Sequence, residues 1–175
     1  MVHKQHGKLN WGGNGIKHLR YLRYVLRHKW FVFIACCKLG VPWRGIAHDM
    51  SKFAPSEWFP YAEHFYGGNR DIHFGRDKSG YYRAGDTGDM LFDFAWFYHQ
   101  KRNPHHWQWW VLPLDDGGQK ILPMSDSYRK EMLADWYGAG RALGKPDTQA
   151  WYLANKDKML LHPDTRQWIE AQLFK

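Results

Sequence analysis

Cysteine is nearly absent from this chain of 175 residues: there are two, Cys36 and Cys37, and they are adjacent. Neighbouring cysteines are badly placed to bond each other. No disulfide framework is therefore expected, and both read as reduced packing residues of a cytosolic protein. Long apolar runs are absent too. The longest, Trp30 to Cys37, has eight residues, whereas a membrane helix needs about 20. The segment Met1 to Trp11 is polar and lacks an apolar signal core. A cytoplasmic protein with no membrane partner is expected. The chain also has no internal repeat, no credible strand run and no recognised nucleic-acid motif.

What is present excludes disorder: 44% of residues are hydrophobic and 18% aromatic, with eleven Trp. The length suits one domain, able to bury roughly 70% of its unfolded surface. The net charge of +8 favours anionic partners, such as phosphates, nucleotides, nucleic acid or acidic lipid.

The chain reads as all-α. Residues 1–14 form a flexible basic arm, with His3, Lys4, His6 and Lys8 ahead of Gly12-Gly13-Asn14-Gly15, and residues 15–175 form one helical domain. A helix is predicted from Ile16 to about Leu39, ended by Gly40. One apolar stripe on it is Leu19, Leu22, Leu26, Trp30 and Phe33; a second is Val25, Val32 and Ala35, with His28 three residues after Val25. Pro42 opens a second helix reaching Phe53 and carrying His48 and Asp49. Pro55-Ser56-Glu57 starts a third, to about Tyr66.

Residues 67–87 read as a long loop, a candidate lid. Met90 to Lys101 is a fourth helix, with Phe92, Ala95 and His99 on one face and Asn103-Pro104 breaking it. Residues 112–126 read as a surface hairpin or loop. Ser127 to Leu143 is the fifth helix, with the stripe Tyr128, Met132, Trp136, Ala139 and Leu143 and with Asp135 at its edge. Gly138 and Gly140 weaken it and invite an early end. Helices at about 147–160 and 163–174 close the chain. Five core helices thus surround the residues that carry the chemistry, with two C-terminal helices added.

Those residues are His28, the adjacent pair His48-Asp49, then His99, His105, His106 and Asp135. Imidazole and carboxylate are the ligand types of Zn²⁺, Fe, Mn²⁺ and Co²⁺, with Mg²⁺ a further option. Ligands on several packed helices fix a cation while leaving a position for water, which loses a proton near neutral pH. His64 on the third helix competes for a place in this set, whereas His3, His6, His18, His73 and His162 read as structural or solvated.

On the substrate side, Arg20, Arg23, Arg27 and Lys29 flank His28, and guanidinium groups bind phosphate oxygens in pairs. Arg70, Arg76, Lys78 and Arg83 populate the long loop, and Trp58, Tyr61, Trp96, Trp107, Trp109 and Trp110 are aromatic faces able to stack a base.

The order His28, His48-Asp49, Asp135 resembles the HD-domain superfamily of metal-dependent phosphohydrolases. His48-Asp49-Met50-Ser51-Lys52 is similar to the His-Asp-x-Gly-Lys segment of its cyclic-dinucleotide branch, with Ser51 in place of Gly. That branch's Gly-Tyr-Pro signature is missing, which argues against such a substrate. The likeness is strongest to compact, often phage-encoded members with His-Asp-x-Ser-Lys-Phe, a following Glu and Tyr, His-x-x-x-Asn-x-His-His and Glu-Met-x-x-Asp-Trp. In this sequence these are His48 to Phe53, Glu57, Tyr61, His99, Asn103, His105, His106, Glu131, Met132, Asp135 and Trp136.

The resemblance implies His28, His48, Asp49 and Asp135 as the basic metal set. Asp49 would bridge to a second metal held by His99 and one or both of His105 and His106. It implies Lys52 and Asp49 at the reacting phosphate or water, and Glu57 as a supporting or acid–base group. Arg20, Arg23, Arg27 and Asn103 would bind substrate.

Three functions follow as expectations. The first is hydrolysis of a small phosphoester, nucleotide or nucleotide-like, by metal-activated water. The second is an HD-type di-iron oxygenase acting on a small substrate that can itself contain phosphorus. The third, least favoured, is non-catalytic nucleic-acid binding driven by charge.

Overall fold

A computed structural model describes residues 11–68, 70–71, 73–81 and 87–175, with backbone alone for 11–14. Most of the expected arm, including His3 and His6, lies outside these residues, as does Arg83. The described part is all-α, as the sequence predicts. Seven α-helices run in the order α1 (Trp11–Lys38), α2 (Pro42–Ala47), α3 (Pro55–Tyr66), α4 (Met90–Arg102), α5 (Asp126–Ala142), α6 (Thr148–Asn155) and α7 (Pro163–Leu173). None of them is long and apolar enough to cross a membrane.

Pro42, Pro55 and Pro163 each occupy the first turn of a helix, where a missing N–H costs nothing. Asp89 and Asp147 cap α4 and α6 by accepting from the backbone N–H groups of Phe92 and Ala150. Residues 112–126 hold the expected hairpin. Strands β1 (Val111–Pro113) and β2 (Gln119–Ile121) pair antiparallel with Val111 opposite Ile121. No strand run is visible in the sequence, because three-residue strands are too short for alternation to register.

The central element is α1, which packs on α5, α2 and α3, while α3 packs on α4. The buried face of α1 carries Tyr21, Val25, His28, Val32, Ala35 and Cys36. The other predicted stripe is turned out, with Leu19 66%, Leu26 54% and Trp30 59% exposed. The helix cannot bury both stripes, and the one with the smaller side chains admits its neighbours. Burial pushes the Cys36 thiol up to about 12; both cysteines are free.

Helix α1 begins at Trp11, earlier than expected, so Gly12-Gly13-Asn14 is helix rather than arm. Helix α5 does not end early at its glycines. A Cβ on Gly138 would lie 2.4 Å from Val32 Cγ2 and 2.8 Å from Val32 N. The absent side chain lets α1 and α5 approach closely. A Cβ on Gly45 would lie 2.7 Å from Phe33 Cα, so α2 meets α1 in the same way. These two contacts bring His28, the His48-Asp49 turn and Asp135 together.

Candidate metal centre

His48 and Asp49 do not sit within a helix. The predicted second helix stops at Ala47; His48 is extended (φ −51°, ψ 129°) and Asp49 is left-handed (φ 55°, ψ 24°) before a short 3₁₀ turn at Met50–Phe53. Asp49 is the only non-glycine residue with positive φ among the described residues. Asp tolerates this region better than most side chains, yet it costs of order 1–3 kcal/mol. The gain is directional: two consecutive side chains aim at one place, which a helix would forbid. Lys29 on α1 closes the turn, its Nζ donating to the carbonyls of His48 and Ile46.

Around Asp49 the side chains form two groups, each able to hold a metal ion. In the first, His28 Nε2 lies 3.3 Å from Asp49 Oδ2 and 3.2 Å from Asp135 Oδ1. His48 Nε2 lies 3.2 Å from Asp49 Oδ2 and 3.4 Å from Asp135 Oδ1. In the second, Asp49 Oδ1 faces His99 Nε2 at 3.3 Å and His105 Nε2 at 3.4 Å, with His106 completing the group. Cation–ligand bonds of about 2.0–2.2 Å place neighbouring ligand atoms roughly 3–3.5 Å apart. Asp49 Oδ1, His105 Nε2 and His106 Nε2 are buried without a hydrogen-bond partner. Buried polar atoms are seldom left so. Their convergence fits a donor set built for a cation.

The rear nitrogens are held by carboxylates. Glu131 Oε1 lies 3.1 Å from His48 Nδ1 and 3.1 Å from His105 Nδ1, so one oxygen serves both groups. Glu57 Oε2 faces His99 Nδ1 at 2.9 Å. Such partners turn the Nε2 lone pair towards a metal. Glu131 has no assigned role at the level of sequence. The available signal was its place four residues before Asp135, one helical turn along α5. Tyr24, stacked on His28 at 5.9 Å, was likewise missed.

The electrostatics of the two groups differ. Burial alone would lower His48, but Asp49, Asp135 and Glu131 hold it well above the usual imidazole range. Burial would raise Asp49 and Asp135; the charges of His48, Lys52 and His99 around Asp49, and of His28 and His48 beside Asp135, keep both well below the carboxylate range. In the second group burial dominates, lowering His99 and taking His106, beside His105 and His99, well below its usual value. Burial likewise opposes Lys52, yet Asp49 lifts it, and its Nζ lies 2.5 Å from Asp49 Oδ2. The Asp135 and Lys52 side chains are 18% and 16% exposed, against 0–3% for His28, His48, Asp49, His99 and His105. Solvent reaches the first group at this edge, and His106 is the partly exposed member of the second.

All seven predicted ligands are thus brought together, and His64 is not among them. His64 is buried on α3, stacked on Phe92 at 3.7 Å. Glu57 is 0% exposed, with its oxygens taken by His99, Ser51 and Arg102, an arrangement that matches the supporting one of its two expected roles. Asn103 is buried at the end of α4, where its amide donates to the His99 carbonyl and to Ser51 Oγ. The Arg20 guanidinium goes to the Arg70 carbonyl and the Tyr66 ring, and that of Arg27 to the Arg141 carbonyl and the Phe31 ring. Arg23 is exposed. Spacings of three and four keep the three arginines on one face of α1, roughly 100° round the helix from the face that His28 presents.

Fold and site together define an all-helical domain with a buried histidine–carboxylate cluster that can hold a metal ion. The chain belongs to the family described as "Family of unknown function (DUF5662)", matched over residues 17–175. Searches of curated proteins and of solved structures found no match.

Proposed function

We propose that the protein is an HD-domain metal-dependent phosphohydrolase that cleaves a small phosphoester, and that His28, His48, Asp49 and Asp135, together with His99, His105 and His106, would hold one or two divalent transition metals. The observation that carries this reading is the division of one carboxylate: Asp49 Oδ2 faces His28 and His48, and Oδ1 faces His99 and His105. The order of ligands along the chain, similar to that of the HD superfamily, supports it.

When bound, the cations supply Lewis acidity at phosphoryl oxygens and a water of lowered pKa. The residues supply the rest. Glu131 and Glu57 are both ionised, held below the usual carboxylate range by His105, His48 and His99 against the effect of burial. They keep the Nδ1 protons of the three imidazoles in place, so that the Nε2 atoms face inward. Lys52 stays charged at the open edge and presents a cation to developing negative charge on a phosphoryl oxygen. The buried walls exclude bulk water, which strengthens each of these interactions.

The test is hydrolysis of a panel of phosphomonoesters, phosphodiesters and nucleotides under anaerobic conditions, after loading with Mn²⁺, Zn²⁺, Co²⁺ or Fe²⁺. The expected result is turnover without oxygen that disappears in Asp49→Ala. The same His-rich donor set suits iron, so a di-iron oxygenase is the second reading. No phosphoester turnover, together with bound iron and oxygen uptake, overturns the first and favours the second.

A further inference from the structure

A cavity of about 400 Å³ lies between α5, α6 and residues 73–80. Its α5 wall is Trp136, Ala139 and Gly140, continued by Leu143 just past the helix end. Asp135, four residues before Ala139, stands at the end of that wall. Trp151 from α6 forms a second wall, its ring 5.4 Å from that of Trp136, and Tyr81 stacks on Trp151 at 6.2 Å. Its cationic groups are Lys78 and Lys145, both exposed, and Arg76, whose guanidinium also donates to the Gly80 carbonyl. Asp147 is its one carboxylate, and it is occupied in capping α6. The cavity is therefore apolar and aromatic in its body and positive in its charged groups.

Asp135 of the metal centre directly precedes Trp136 and lies one helical turn before Ala139, both of which line the cavity. The aromatic groups singled out in the sequence are elsewhere. Trp58, Tyr61 and Trp96 belong to the core around Tyr21 and Phe92, and Trp107 and Trp110 pack against the core of α5 to α7.

We propose that this cavity receives the flat aromatic body of the substrate, with Arg76, Lys78 and Lys145 drawing its anionic group towards the Asp135–Lys52 edge. The phosphate in this assignment rests on the phosphohydrolase reading; the aromatic body rests on the cavity. Ligand sites span about 300–1,000 Å³, so this one has room for a one- or two-ring group.

The test compares binding of naphthylmethylphosphonate, whose C–P bond resists hydrolysis, with binding of methylphosphonate, by calorimetry on the full chain. Wild type is expected to favour the naphthyl compound by at least about tenfold, the scale of one stacking contact. Trp151→Ala is expected to erase the preference and leave methylphosphonate binding unchanged. Ala154→Trp, at an exposed position lining the cavity, is expected to do the same without removing core. No preference in wild type, or a preference that survives in folded Ala154→Trp, overturns the assignment. A ring preference without any phosphoester hydrolysis leaves the cavity assigned and removes the hydrolase; hydrolysis without ring preference does the reverse.

Discussion

His28 Nε2 and His48 Nε2 stand 3.1 Å apart inside the protein. They come from α1 and from the turn after α2, and each also faces Asp49 Oδ2 and Asp135 Oδ1. Two imidazole nitrogens that close, ringed by anionic oxygens, share a proton or face a cation. His48 is held well above its usual pKa by those carboxylates, so the metal-free protein keeps a proton there near neutral pH.

Metal uptake must displace that proton. Calorimetric titration with Zn²⁺ in two buffers of different ionisation enthalpy is expected to show release of about one proton or more per chain, and affinity is expected to fall as pH falls. Uptake with no proton release and no pH dependence would mean that the cation binds elsewhere.

Glu131 joins the two groups from behind through one oxygen. Glu131→Gln keeps its shape and removes its charge. Competition against a chelator is expected to show affinity reduced about 10- to 100-fold, the usual effect of losing a partner behind a metal-bound imidazole, with helix content unchanged. Unaltered affinity would show that Glu131 serves packing alone.

Gly138 is where α5 touches Val32 of α1. Gly138→Ala must push the helices apart, at a cost of about 1–3 kcal/mol, measurable by urea unfolding. It is also expected to weaken metal binding, because His28 and Asp135 sit on the two separated helices. A variant as stable as wild type would contradict the close-approach account.

Much of this was legible in the sequence. Proline at helix starts placed α2, α3 and α7, and the 3.6-residue spacing of Phe92, Ala95 and His99 gave the buried face of α4. The ligand residues were readable because imidazole and carboxylate have few other reasons to recur towards one interior. Other features were not readable. The His48-Asp49 turn looked helical because nothing in the local sequence marks a left-handed Asp; the tertiary contacts of Lys29 and the facing ligands hold it. The inward stripe of α1 depended on which neighbours packed, and Gly138 reads as a helix weakener until Val32 is seen opposite it. The role of Glu131 depends on α5 meeting the turn after α2 and the segment after α4, and the Trp136–Trp151 cavity on α5 meeting α6.

The central claim is that Asp49 joins two cation sites, and metal stoichiometry tests it most directly. Protein loaded anaerobically with Mn²⁺, Zn²⁺ or Fe²⁺, freed of excess ion and analysed by elemental mass spectrometry, is predicted to hold two equivalents per chain. Asp49→Ala is predicted to hold at most one, and His99→Ala to lose the second ion while keeping the first. Wild-type protein that retains no metal after loading, or Asp49→Ala that still retains two, would contradict the account.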